Sequence, residues 1–517
     1  MGPVRERFAD SKATDDIAGT VLITIDSLRA DALSGPGASG HAPTLAGLRE
    51  RGTVFENAFA HGNWTPFSFP SIMASRPVFE SSPSVGLPDS PTLAEVLSEA
   101  GIATAGINAA NGFLSSHWGY DRGFDEFESL LGDETGVYSK YLTAHPTVQG
   151  WVQLATTAAR RATTRARGAV GEATSDADNR ADTSAGSIGG DDARAAAVGA
   201  RGRAFVERVD EPFFLWLHYM DAHTPYLPAP RHVKQVTGDR VGVLRALRAH
   251  ARTGLGLEVD EGTLRRLRQL YRAAIRGIDA SVGNVLDGLA ARGLRDRTSI
   301  VVAGDHGEEF QEHGHLAHYP KLYEELVHVP LVVDHPGVAS DSVADAVGLD
   351  AVAPTVCAGM GVDVSPDFEG RSLLGAVGAV GAVGTGEIEG AEGRTRVGAG
   401  ERGHDRAPVI SVAVRGSKIT QQPIPRRLDE GELLVSARTR EWTYVYHTES
   451  GHRELYRRST DPAEEENVYE TFAGTEITSE LHEAASEHAG RVGGTESTDE
   501  RTPPSGVTTR LKALGYR

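Results

Sequence analysis

Cysteine is almost missing from this chain of 517 residues: Cys357 stands alone, so no internal disulfide can form and nothing points to an oxidising compartment. Lysine is scarce as well, with six among the 52 basic residues, and aromatic residues make up only 6%. The 71 acids leave a formal charge of -19, which argues against nucleic acid or an anionic membrane as partner. A small anionic substrate stays compatible, because a bound cation supplies local positive charge. No apolar run approaches the ~18 residues of a membrane-spanning helix. Met1 to Gly19 is polar and charged, without an apolar core of signal-peptide length. A soluble, cytoplasmic protein is therefore expected, and its acidic, arginine-rich balance reads as salt-adapted (halophilic) or of high-GC origin.

What is present is a core: 39% of residues are apolar, and the length suggests two or more domains. Ile300-Val301-Val302-Ala303 reads as a strand buried on both faces, ending at Gly304 and followed by Asp305-His306-Gly307. In open α/β sheets the carboxyl edge is where ligands sit. A carboxylate and an imidazole there make half of a divalent-metal site. Val21 to Ile25 repeats the pattern and ends on Asp26. Pro212 to Tyr219 is a third such strand, running into Asp221 and His223. Between the first two, Thr65-Pro66-Phe67-Ser68-Phe69-Pro70-Ser71 is a hydroxyl-rich entry to a helix. A hydroxyl there faces unpaired N–H groups and the positive dipole end, which favour an oxyanion; plain N-capping by Thr65 or Ser68 is the alternative.

The strands alternate with helical patterns through residues 92–107 and 264–289, so the fold expected is α/β, a large, mostly parallel sheet between helices. Short alternating runs at 409–414, 433–437 and 443–447 suggest a small C-terminal antiparallel subdomain. The expected organisation is a flexible tail over 1–20 and a catalytic unit over 21–375 with a mobile insertion near 165–193. A low-complexity loop over 376–406, the subdomain over 407–475, and a polar tail over 476–517 with a short closing helix at 510–514 complete it.

In this order the motifs resemble the sulfatase family of the alkaline-phosphatase-like superfamily. The resemblance is carried by Val21 to Leu33, by Gly52 to Ala60, by Gly119 to Asp125 and by Asp221-Ala222-His223-Thr224-Pro225-Tyr226. It continues through Gly304 to Glu325 and the closing Glu454-Leu455-Tyr456 with Asp461-Pro462-Ala463-Glu464. It implies the sulfatase fold. Two registers compete for the family's nucleophile. Ser68-Phe69-Pro70-Ser71 matches the serine form of its motif, whereas Thr65 brings Ala74-Ser75-Arg76 onto the downstream Thr-Gly-Arg; Thr65 is the reading adopted. With no cysteine at the site, the activating formylglycine of typical sulfatases is not expected to form.

Carried over by position, the resemblance implies one divalent ion (Mn, Mg, Ca or Zn) held by Asp26, Thr65, Asp305 and His306, Ser27 replacing the family's second acid. His223 becomes general acid to the leaving oxygen. His318 is placed on the oxyanion, or beside Asp221 and His223 at a second metal, with Lys321 and Ser68 as further substrate contacts. The expected activity is metal-dependent hydrolysis of a small-molecule or glycan sulfate or phosphate ester through Thr65. The alternatives are a phosphoglycerol- or phosphoethanolamine-type transferase, or a degenerate member that binds metal or glycan without turnover.

Overall fold

The computed structural model describes residues 17–34, 38–87, 89–130, 193–238, 259–374, 407–417 and 424–493. The expected insertion, the low-complexity loop and the closing helix at 510–514 lie outside these residues, as does the tail up to residue 16.

Among the described residues ten strands precede the C-terminal part: β1 (Gly19–Ile25), β2 (Thr53–Phe59), β3 (Ala103–Asn108), β4 (Glu126–Ser129), β5 (Phe213–Tyr219), β6 (Thr298–Gly304), β7 (Glu309–Phe310), β8 (Leu316–Ala317), β9 (Leu331–Asp334) and β10 (Asp341–Gly348). Eight of them form one sheet in the order β10-β2-β9-β6-β1-β5-β3-β4, and β7 pairs with β8. Only β9 runs against its neighbours in the large sheet. The central strands β1, β5 and β6 are buried at every position, which is why they read as continuous apolar runs rather than alternating ones. On one face Val21, Ile23 and Ile25 meet the long helix Glu261–Ala291; on the other Leu22, Phe214 and Trp216 meet the helix Thr65–Ala74.

Register fixes where the acids fall. β1 pairs in parallel with β6 so that Ile25 stands opposite Gly304, and the next residues, Asp26 and Asp305, leave the sheet side by side. On β1's other flank, Ile25 stands opposite Tyr219 of β5.

Four antiparallel strands make the C-terminal sheet, β11 (Val409–Arg415), β12 (Glu432–Arg438), β13 (Trp442–His447) and β14 (Arg453–Arg457), in sequence order. Residues 476–493, expected as the start of a polar tail, form instead a helix whose Leu481, Ala485 and Val492 pack on this sheet beside Val435 and Tyr444. That apolar stripe is narrow, which is why the segment reads as polar overall. Wholly buried Arg438 bonds Glu464 at 2.9 Å and Glu324 at 3.1 Å, tying the sheet to the segment after β8. The sheet also supports the loop before Thr65: Val412 N–H donates to the His61 carbonyl (2.9 Å) and Ser411 Oγ to the Ala60 carbonyl (2.6 Å).

Candidate active site

The helix Thr65–Ala74 begins with Pro66 in its first turn, where a missing N–H costs nothing, and ends at Ser75 in the left-handed region. All ten of its residues are buried, so its N-terminus is presented from inside the protein rather than from solvent. The Trp64 indole donates to the His318 carbonyl (2.6 Å) and the Asn63 amide to the Tyr319 carbonyl (2.7 Å). The histidine-rich loop is thus pinned beside Thr65.

At that helix start the Thr65 hydroxyl lies 3.3 Å from Asp26 Oδ2 and 3.4 Å from His306 Nε2. Asp26, Asp305 and His306 offer ligand atoms all within 4.8 Å of one another, and all three are buried. Ser27 holds the two acids: its N–H donates to Asp305 Oδ1 (3.1 Å) and its Oγ to Asp26 Oδ1 (3.1 Å). To do so it takes φ 59°, a conformation secured by Tyr271 Oη donating to its carbonyl (2.9 Å). At Gly307 only glycine fits, since a Cβ would lie 1.9 Å from the Glu325 carbonyl oxygen.

These residues suit a divalent cation. His306 Nδ1 sits 2.9 Å from the Gly307 carbonyl, to which it can only donate, so Nε2, which faces the acids, is the atom that would meet a cation. Asp305 Oδ2 is buried with no hydrogen-bond partner, an arrangement that costs free energy unless a cation or donor faces it. Burial drives the Asp305 carboxyl up to about 6, with Asp26 adding to the push against the pull of His306. For Asp26, burial is outweighed by His223, His218 and His306, which hold it below the usual carboxylate range.

The other expected residues divide. His318 lies with its ring 4.7 Å from that of His306 and 4.8 Å from that of His223. Burial holds both His318 (about 3) and His223 below the ordinary imidazole value. Ser68, one turn after Thr65, is wholly buried and its hydroxyl has no hydrogen-bond partner. Lys321 turns elsewhere: its ammonium bonds both oxygens of buried Glu309 (3.0 and 2.8 Å) and the His313 carbonyl (2.6 Å), committing all three donors. Asp221 accepts from the backbone N–H of Ala195 and belongs to neither group of metal-capable side chains found among the described residues.

Two residues that touch the site were assigned no role from the sequence. Asn111, just past β3, donates from Nδ2 to Asp26 Oδ2 (2.8 Å) and to Thr65 Oγ1 (3.3 Å). Its own Oδ1 accepts from Phe113 N–H, and its backbone N–H donates to Asn108 Oδ1, so the amide orientation is fixed. Glu308 accepts from Tyr226 Oη and faces His318 Nδ1 at 2.8 Å. Burial pushes the Glu308 carboxyl up to about 7, so this pair holds a proton beside the site.

Two acids and an imidazole converge on a buried hydroxyl at the carboxyl edge of a mostly parallel sheet, and the fold is the alkaline-phosphatase-like one. The chain belongs to the sulfatase family, whose model matches residues 19–362. It is 28% identical over 197 residues to the multifunctional alkaline phosphatase superfamily protein PehA of Trinickia caryophylli, covering 32% of this chain and 38% of that one. Over 115 residues it is 31% identical to arylsulfatase K of Mus musculus, 22% of this chain and 21% of that protein. The matches therefore span well under half the length of either relative. The fold superposes on the phosphonate monoester hydrolase of Agrobacterium radiobacter with a TM-score of 0.62 at 19% identity, over 91% of this chain and 96% of that one. Among the described residues no helix is long and apolar enough to cross a membrane.

Proposed function

We propose that the chain is a metal-dependent hydrolase of sulfate or phosphate esters in which Thr65 is the nucleophile. The observation that carries this reading is the position of the Thr65 hydroxyl, within 3.4 Å of Asp26, His306 and Asn111 at the start of a buried helix. A divalent cation, held by Asp26, Asp305, His306 and Thr65, would lower the hydroxyl's pKa and polarise a non-bridging ester oxygen.

Thr65 Oγ attacks sulfur or phosphorus in line while the bond to the leaving oxygen breaks. Asn111 Nδ2, already directed at Thr65 Oγ1 and Asp26, holds the attacking oxygen in place and stabilises negative charge on it. Protonation of the leaving oxygen falls to His223 or His318. His318 has the stronger support, because Glu308 faces its Nδ1 and can resupply the proton. Water then clears the ester formed on Thr65. A threonine ester cannot collapse to an aldehyde as a formylglycine hydrate does, so release requires attack at sulfur or phosphorus. Phosphodiesters or phosphonates are therefore as acceptable as sulfates, on a small molecule or a glycan.

A matrix of metals against nitrophenyl sulfate, bis-nitrophenyl phosphate and a phenylphosphonate tests the proposal. Turnover of at least one substrate must depend on a divalent ion and vanish in Thr65→Ala; metal-independent turnover, or none under any metal, refutes it.

A further inference from the structure

Far along the chain, the hairpin β13–β14 gathers a second group of metal-capable side chains, separate from the catalytic one. The pairing of Tyr446 with Arg453 continues to His447 opposite His452, with the His447 N–H donating to the His452 carbonyl at 3.0 Å. Because side chains alternate along a strand, His447, His452 and Glu454 all leave on one face of the sheet. Their ligand atoms lie within 4.8 Å of one another. Glu454 Oε1 is 2.7 Å from His447 Nε2 and 3.8 Å from His452 Nε2, and the two rings are 5.0 Å apart. The carboxylate is oriented for this from behind: its Oε2 accepts from Tyr456 Oη (2.6 Å) and Tyr323 Oη (3.1 Å). His447 and Glu454 are buried, whereas the His452 side chain is 58% exposed, giving an entry path.

We propose that His447, His452 and Glu454 form a zinc site, the fourth position being left to water. Two imidazole nitrogens and one carboxylate oxygen suit zinc or a similar borderline cation and are too few and too soft for Ca²⁺ or Mg²⁺. Binding replaces the His447–Glu454 hydrogen bond: His447 takes the Nδ1–H tautomer, any second ring proton passes to water, and Nε2 and Oε1 turn lone pairs to the ion. The ion would staple the hairpin end, and through the Glu454–Tyr323 bond it would brace the C-terminal sheet against the catalytic unit.

The test uses full-length protein without a histidine tag, stripped by chelator and dialysed against micromolar free zinc, with bound metal counted by mass spectrometry. Wild type should take up one equivalent more than His452→Ala, whose exposed side chain leaves folding and ester turnover untouched. Asp305→Ala should keep this equivalent and lose the catalytic one. Cobalt substituted into Asp305→Ala should show the visible bands of a low-coordinate site, absent from the Asp305→Ala/His452→Ala pair. A loss of zinc affinity of about tenfold or more in His452→Ala supports the site. A smaller loss, or an extra equivalent that binds only at millimolar zinc, overturns it.

Discussion

Asn111→Ala isolates one contact of the site and leaves the rest standing. The amide supplies a 2.8 Å donor to the buried Asp26 carboxylate and a 3.3 Å donor to the Thr65 hydroxyl, and it is locked by Asn108 and Phe113. A hydrogen bond to a charged group is worth about 1.5–3 kcal/mol, and truncation leaves Asp26 short of a donor in a dry site. If that stabilisation is realised at the reacting oxygen, kcat/KM falls roughly 10- to 150-fold at 1.36 kcal/mol per decade. Asn111→Asp should be worse without metal, because it sets a second carboxylate against Asp26, and should recover stability when a divalent ion is added. Initial rates at saturating metal, with thermal melts of each variant with and without that metal, read both effects. A normally folded Asn111→Ala enzyme within twofold of wild type would refute the reasoning.

Chelation should abolish turnover, and a divalent ion should restore it; activity that survives exhaustive chelation would contradict the metal reading. Lys321→Ala leaves buried Glu309 without its cation and should cost about 3–5 kcal/mol in denaturant unfolding. A variant of native stability whose KM alone rises would return Lys321 to the substrate. The helix 476–493 is joined to the catalytic unit through Glu80, whose Oε1 lies 3.3 Å from His488 Nδ1 and 3.0 Å from Arg491 Nη2 as ion-pair contacts. Burial and Glu80 raise the Glu369 carboxyl to about 7. A raised carboxyl stabilises the fold fully below its unfolded value near 4.5 and loses that contribution as pH rises through about 7. Because Glu369 is 35% exposed, screening reduces the effect to roughly 1 kcal/mol. Melts across that window should show a shallower decline in Glu369→Gln than in wild type, the remainder belonging to Asp305 and Glu308.

The acids and the hydroxyl were legible because each announces itself locally. A fully apolar strand that ends in Asp26 or Asp305 reads as a sheet edge, and a Thr-Pro entry reads as a helix start. Their convergence depends on register, Ile25 opposite Gly304, which follows once both strands are central and parallel. Asn111 lies just past a strand and so at the sheet edge, but nothing in the sequence ties its amide to Asp26 and Thr65, because β3 and β1 are separated by β5 in the sheet. Glu308 was hidden among neighbouring glutamates, and only its complete burial separates it from half-buried Glu312. Lys321 illustrates the opposite failure: position in the chain suggested a substrate contact, while the geometry commits its ammonium to Glu309. The helix at 476–493 went unread because its apolar residues are few and mostly small, enough to seat it only on a preformed sheet.

Everything in the proposed reaction passes through a covalent ester on one side chain. Rapid quenching of the enzyme during turnover of bis-nitrophenyl phosphate or nitrophenyl sulfate, followed by peptide mapping, locates that ester directly. The account predicts the added mass on Thr65 and none in Thr65→Ala. A mass on Ser68, or a Thr65→Ala enzyme turning over at the wild-type rate, would contradict it.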